Sequence, residues 1–209
     1  MTKNRKFSLV LADDHPIVRM GILVALKHFP NVVVHEASDG ATLFNIVQKH
    51  KPDVAIMDIN MPDTDSQGVL SNILRVHPDL AVLMFSVNKE EIYGKAFLAL
   101  GARGYLQKEN ISTELVIAVE CLLNGHVYIR KEMQSFYLSS GGMDTIYSAL
   151  TKKELEVLRY LIKGDSLISI AEIMNLSPST IGTHKTKIFE KLHVNNYIEL
   201  REISTLYPI

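Results

Sequence analysis

Apolar and polar positions follow two different rules along the chain. In the first half, five short runs rich in Val, Ile and Leu occur at Phe7 to Ala12, Val32 to His35, Val54 to Met57, Ala81 to Phe85 and Gly104 to Leu106. They alternate with stretches whose apolar residues recur every three to four positions: Pro16 to His28, Ala41 to His50, Gln67 to Val76, Lys89 to Leu100 and Thr113 to Leu123. The runs have the length and branched content of strands, and the stretches have the period of amphipathic helices. Strand and helix alternating five times predict an α/β domain, a doubly wound five-stranded parallel sheet with helices on both faces. The unbroken apolar character of strands one, three and four places them centrally. Gly101 and Gly104 bracket the turn out of the fourth helix.

The pattern then changes. From Gly125 to Leu150 no period persists, and Ser139, Ser140, Gly141 and Gly142 mark a linker, with a short helical piece around Met133 to Leu138. Beyond it every periodic segment is helical. Thr151 with Glu154 three residues on forms a capping box, Leu155, Leu158, Leu161 and Ile162 give an apolar stripe, and Gly164 ends the helix. A second helix is predicted over Ser166 to Met174. The turn Asn-Leu-Ser-Pro leads to a third, Pro178 to His193, with Ser177 as N-cap and Pro178 at the first helical position. A fourth runs from Asn195 to about Leu206. The predicted organisation is an α/β domain over residues 1–125, a linker over 126–147 and an all-α domain of four helices over 148–209.

Composition narrows the function classes. A length of 209 residues suits two small domains, and a net charge of -1 supplies no global field toward nucleic acid or membrane, so such contact requires a local patch. No apolar run approaches the roughly 20 residues that span a bilayer, and the basic start MTKNRKF is not followed by a signal-like core, so the expected location is cytoplasmic, with no membrane partner. The single cysteine, Cys121, excludes an internal disulfide and reads as structural.

Chemistry gathers where the strands end. In an open parallel sheet, sites form outside the carboxyl ends of the strands. Asp13 and Asp14 follow strand one, Asp58 ends strand three, Ser86 ends strand four and Lys108 ends strand five. Taken singly, each has an ordinary use: a turn or cap residue, a solvated lysine, or Ser86 capping the next helix. Together they are a combination folding does not require. Converging carboxylates repel unless a hard cation joins them, and Mg2+ suits oxygen donors. A carboxylate beside such a cation is also a nucleophile toward phosphorus, and Asp58, on a central strand, is the best placed. Lys108 and Ser86 would then neutralise phosphoryl oxygens.

The motifs DDHPIVRMG, MDINMP, the Phe-Ser pair at strand four and GARGYLQK together resemble a response-regulator receiver domain over about residues 5 to 125. DDHP with Val18, Arg19 and Gly21 is similar to the NarL/FixJ subgroup, which carries a LuxR-type helix-turn-helix. The resemblance implies a flavodoxin/CheY-like sheet in which Asp58 accepts a phosphoryl group from a sensor histidine kinase. It implies that Asp13, Asp14, Asp58 and the backbone carbonyl of Asn60 hold Mg2+, with Mn2+ as an alternative. Ser86 and Lys108 would bind the phosphoryl group, and Tyr105 would be the aromatic that changes rotamer with Ser86. Spacing alone makes Tyr105 only a strand residue three before Lys108. One departure is Ser66 in MPDTDSQG, where such domains usually carry glycine.

In the third helix of the tail, Ile181, Ile188 and Leu192 share the core face at about 100° per residue. Ser179, Gly182, Thr183, Thr186, Lys187 and Glu190 point away. Thr183, Thr186 and Lys187 fit base-edge contacts, Lys185, Lys187 and Lys191 fit phosphates, and the first-turn amides near Ser179 suit another phosphate. A solvated helix with a few lysines has the same composition. LTKKELEVLRYLIKGDS followed by LSPSTIGTHKTKIFEKLHV resembles the LuxR-type helix-turn-helix over about residues 148 to 206. The match includes Thr151, Glu154, Val157, Leu158, Gly164, Thr180, His184, Ile188, Lys191, Leu192 and Val194. The family usually carries a DNA-facing lysine where this chain has Gly182, polar residues at Leu167 and Ile168, and an arginine at Tyr197. Weaker or altered DNA preference follows as an expectation, and Leu167 and Ile168 are expected to be exposed.

The predicted function is a phosphorylation-controlled, DNA-binding transcriptional regulator. It would dimerise when active through the last helix, where Ile198 and Ile203 are available, and bind double-stranded DNA. Two alternatives remain: a Mg2+-dependent aspartyl-phosphate phosphatase or phosphotransferase, which uses the same residues, and a regulator that keeps the fold but acts without phosphorylation. The absence of a catalytic constellation in the tail argues against the first, and the complete acid set against the second.

Overall fold

The computed structural model describes residues 6–133, 146–192 and 194–207. The chain divides into two compact units, Met1–Gln134 and Ser135–Ile209.

The first unit alternates strand and helix throughout. Its elements are β1 (Phe7–Ala12), α1 (Pro16–Leu26), β2 (Val32–Ala37), α2 (Gly40–His50), β3 (Val54–Asp58), α3 (Ser66–Val76), β4 (Ala81–Ser86), α4 (Glu90–Ala99), β5 (Gly104–Gln107) and α5 (Ile111–Leu123). The five strands form a parallel sheet in the order β2-β1-β3-β4-β5, so β1, β3 and β4 are central as their composition requires. Leu9, Leu11, Val54, Ile56, Leu83 and Phe85 face a core completed by Ile22 and Leu26 of α1 and Leu115 and Val119 of α5. The residues between them, such as Val10, Met57 and Met84, are equally buried, since a period of two serves both faces of a covered sheet.

Differences from the predicted elements are confined to their ends. β2, β3, β4 and β5 run one or two residues past their apolar runs, because ladder hydrogen bonds follow the backbone and not the side chains. α1 stops at Leu26 instead of His28, because the N–H groups of Lys27, His28 and Phe29 donate to carbonyls three residues back and tighten the last turn.

The first unit also continues past α5. Tyr128 forms an isolated parallel bridge with Gly104, its N–H donating to the Arg103 carbonyl at 2.8 Å, and Met133 is buried. The unit therefore extends beyond the predicted boundary at residue 125. Of the helical piece expected around Met133 to Leu138, residues 131–133 are helical and the rest lies outside the described residues.

The second unit has a short 3-10 turn, Ile146–Ala149, then α6 (Lys152–Lys163), α7 (Leu167–Met174), α8 (Pro178–Lys191) and α9 (Tyr197–Leu206). Each start has a chemical cause. Thr151 and Glu154 form the predicted capping box, and Ser166, Ser177 and Asn196 each accept a backbone N–H in the first turn of their helices. Gly164 closes α6 at φ 91°, a left-handed conformation that glycine adopts without strain. Val157, Leu158, Leu161, Ile170, Ile181, Ile188, Leu192, Leu200 and Ile203 are buried. Leu155 and Ile162, placed in the stripe by the sequence, are half-buried. The predicted end of α8 at His193 lies outside the described residues.

Candidate phosphoacceptor site and nucleic-acid interface

Sheet register brings the acids together. Ala12 pairs with Met57, so Asp13 and Asp58 emerge side by side, and Asp58 pairs with Phe85, one residue before Ser86. Ser86 pairs with Gln107, one residue before Lys108. Asp13, Asp58 and Ser86 are buried, Asp14 is half-exposed, and Lys108 places its Nζ 2.7 Å from Asp13 Oδ2 and 2.8 Å from Asp58 Oδ2. Burial raises the Asp58 carboxyl above its ordinary value, against the pull of Lys108 and of the Asn60 N–H that donates to its Oδ1 at 3.2 Å. Burial by itself would lower Lys108, but its hydrogen bonds to Asp13 and Asp58 outweigh that and hold it above the usual lysine value.

These residues fit a hard divalent cation. Asp13, Asp14, His15 and Asp58 each offer a ligand atom, all within 4.8 Å of one another. A single lysine ammonium bridges the two buried carboxylates, so the cluster with Asp14 stays net negative where desolvation penalises charge. Oxygen donors with this excess suit Mg2+-like ions. His15 is largely exposed and sits 2.8 Å from Asp14 Oδ1.

The groups around the acids are held in turn. Ser86 does not cap α4, whose N-cap is Lys89. Its Oγ instead accepts the Asn88 N–H at 3.1 Å. Tyr105 is buried, and its hydroxyl donates to the Asn88 carbonyl at 3.0 Å. Ser66, at the position noted for its missing glycine, opens α3 and its hydroxyl donates to the Ile59 carbonyl. The left-handed residue of that loop is Asp63, at φ 51°. Sequence reading missed Asn88, whose Nδ2 also reaches Asn60 Oδ1 at 3.4 Å, although its place two residues after Ser86 was a usable signal. Cys121 is half-buried with its thiol on the Val127 carbonyl, and burial raises it, as befits an inert thiol.

On α8 the structure sorts the predicted contacts. Ser179, Thr183, Thr186 and Lys187 are exposed, and Thr180 and Gly182 are half-buried. Two lysines have partners within the unit. Lys191 Nζ lies 2.7 Å from Glu154 Oε2 and ties α8 to the capping box of α6. Lys185 Nζ lies 4.8 Å from the Tyr197 ring centre and 5.1 Å from that of Phe189, which places its charge over aromatic faces. Of the two isoleucines assigned to a dimer contact, Ile198 is 71 % exposed but Ile203 is 1 % exposed. Ile203 lies five positions further along α9, which turns it into the core. Ile168 is exposed as expected, whereas Leu167 is half-buried.

Residues 9–120 match the response regulator receiver domain family, and residues 148–203 match the bacterial regulatory proteins of the luxR family. The chain belongs to the response regulators. It is a two-component DNA-binding regulator, a signalling protein rather than a metabolic enzyme, which sets aside the phosphatase alternative. The regulator is 34% identical to the oxygen regulatory protein NreC of Staphylococcus carnosus, over 93% of this chain and 94% of that protein. It is 31% identical to the fimbriae Z protein of Escherichia coli K12, over 97% and 98% respectively. Among solved structures, a complex of the response regulator RcsB with DNA aligns at a TM-score of 0.74 and 29% identity, covering 97% of this chain and 99% of that one. RcsB from Salmonella enterica serovar Typhimurium, bound to a promoter with the phosphomimetic BeF3-, aligns at 0.72 and 29% identity with the same coverage. Among the described residues no helix of the regulator is long and apolar enough to cross a membrane.

Proposed function

We propose that Asp58 is the phosphoacceptor of a sensor histidine kinase and that its phosphorylation controls dimerisation and DNA binding by the helical unit. The observation that carries the reading is the buried pairing of Asp58 with Asp13 across Lys108 at the strand tips. An Asp58 oxygen attacks phosphorus, the bond from phosphorus to the kinase imidazole nitrogen breaks, and its electron pair stays on the imidazole. Mg2+, or Mn2+, held by Asp13, Asp14, Asp58 and the Asn60 carbonyl, would supply charge neutralisation at the phosphoryl oxygens. Lys108 then moves from a carboxylate pair to a phosphoryl oxygen, the Ser86 hydroxyl donates to another, and Tyr105 follows Ser86.

In the helical unit, Thr183, Thr186 and Lys187 present groups suited to base edges and phosphates. Ser179, Thr180 and Gly182 line the approach at the start of α8, where backbone amides favour an anion. The Lys185 charge, shared with two rings, serves as a secondary phosphate contact. Ile198 is the dimer contact on α9, and dimers on DNA, as in the RcsB structure of two dimers bound to two parallel DNAs, fit paired half-sites. The proposed organisation is a receiver over 1–125, a linker over 126–147 and a helix-turn-helix domain over 148–209, the first compact unit taking in the start of that linker as far as Gln134. The working location is the cytoplasm. Labelling with acetyl phosphate and Mg2+ tests the reading. Wild type takes up one phosphoryl group and Asp58→Ala takes up none, and persistent labelling of that variant refutes the assignment.

A further inference from the structure

The short connection from Ser86 to the start of α4 leads away from the phosphoacceptor site to a second buried charge. Asn88 is held on one side by Ser86 Oγ, at 3.1 Å, and on the other by the Tyr105 hydroxyl, at 3.0 Å. Two residues on, Glu90 opens α4 with its side chain buried, and its Oε2 lies 2.8 Å from Arg130 Nε. Arg130 belongs to the segment that leaves α5 toward the linker. Tyr128 fixes the same segment twice, through its N–H on the Arg103 carbonyl and its hydroxyl on Glu114 of α5. Gly104 makes the approach possible, since a Cβ there would fall 3.1 Å from Tyr128 Cβ. Met133 completes the anchor with a buried side chain. The segment that leads on to the helical unit is therefore pinned to α4, β5 and α5, and the α4 pin is two residues from the chain that carries Ser86.

We propose that Glu90 and Arg130 form a latch that holds residues 126–133 on the receiver while Asp58 carries no phosphate, and that movement of the Ser86–Glu90 connection toward a phosphoryl group opens it. The latch rests on the reading of Asp58 as phosphoacceptor. A buried ion pair is suited to this task. It tolerates little displacement, because water does not replace a lost partner inside the fold. Burial pushes the Glu90 carboxyl up to about 7 even with Arg130 beside it, and Glu91 and Glu132 add repulsion. A shift of the α4 start that separates Glu90 from Arg130 removes the α4 pin and leaves the segment to the Tyr128 bonds and Met133.

Hydrogen exchange on the full chain, with beryllium fluoride and Mg2+ as the phosphoryl mimic, tests the latch. Fluorine NMR of the bound fluoroberyllate reports whether the adduct has formed. In wild type the adduct speeds exchange of the Tyr128 and Met133 amides by about tenfold or more, with β3 and β4 unchanged. Arg130→Ala and Glu90→Gln show the fast exchange without the mimic and little further change with it, while still forming the adduct. An adduct that leaves these amides protected in wild type overturns the latch, as do variants as protected as wild type. Absence of the adduct signal overturns the phosphoacceptor reading itself, a distinct result. Arg130 is outside the apolar core and Glu90→Gln keeps the side-chain volume, and unchanged core protection verifies that both variants fold.

Discussion

Two buried glutamates, one in each unit, face a cation at nearly the same distance and carry opposite charge preferences. Glu90 lies 2.8 Å from Arg130 and Glu154 lies 2.7 Å from Lys191, with 1 % and 3 % of their surfaces exposed. Burial pushes Glu90 up to about 7, whereas Glu154 is pulled down to about 2 by its bond to Lys191 and by the Thr151 backbone N–H. Glu154 sits in a capping box, where an anion meets unpaired amides at a helix start. Glu90 has repulsion from Glu91 and Glu132 instead. Burial beside a cation does not fix a carboxylate's charge; the donors around it do. One pair ties α6 to α8 through a carboxylate held charged, and the other holds a carboxylate that burial drives toward its neutral form.

The largest test of that contrast lies at the strand tips, where two buried carboxylates share Lys108. Lys108→Met leaves both without their cation and should destabilise the first unit by about 4 kcal/mol, read from urea unfolding followed by hydrogen exchange. Added Mg2+ should recover part of that loss if the acids hold it.

Next comes pH. Glu90 is raised above its unfolded value near 4.5, so its contribution is complete below that value and is lost as pH rises through about 7. The first unit should lose up to about 3 kcal/mol between pH 4.5 and 8 from this group, with a slope of the same sign from Asp58. Glu90→Gln should flatten the profile, and an unchanged slope would remove the basis of the comparison.

Glu154 has the reverse sign. Its stabilisation is present above pH 4.5 and is lost as pH falls toward 2. Glu154→Gln should cost the second unit about 1 kcal/mol at pH 7 and remove that part of its acid sensitivity. The smallest effect is expected where an added side chain meets open space. A Cβ at Gly182 meets no atom within 4 Å, so Gly182→Lys should fit, gain about 1 kcal/mol of helix propensity and steepen the salt dependence of DNA retention. Unchanged salt dependence would place this face of α8 away from the phosphates.

Much of this was legible in the sequence. Alternating periods gave the sheet and its central strands, and the ends of those strands gave Asp13, Asp14, Asp58, Ser86 and Lys108. Local chemistry gave the capping box at Thr151 and the left-handed stop at Gly164. What escaped was pairing over distance. Nothing near Lys191 announces Glu154, 37 residues earlier, and nothing near Arg130 announces Glu90, 40 residues earlier. Helical spacing also left Ile203 beside Ile198 as candidates for a surface contact, because a helix in isolation does not say which side its neighbours cover.

The amino-acid sequence determined which segments are strands and helices and which chemical groups end each strand, because period, caps and turn residues act within a few positions. Only the tertiary structure decided how those groups are charged and which are available. Desolvation and the set of hydrogen-bond donors around a carboxylate are created by packing remote parts of the chain together.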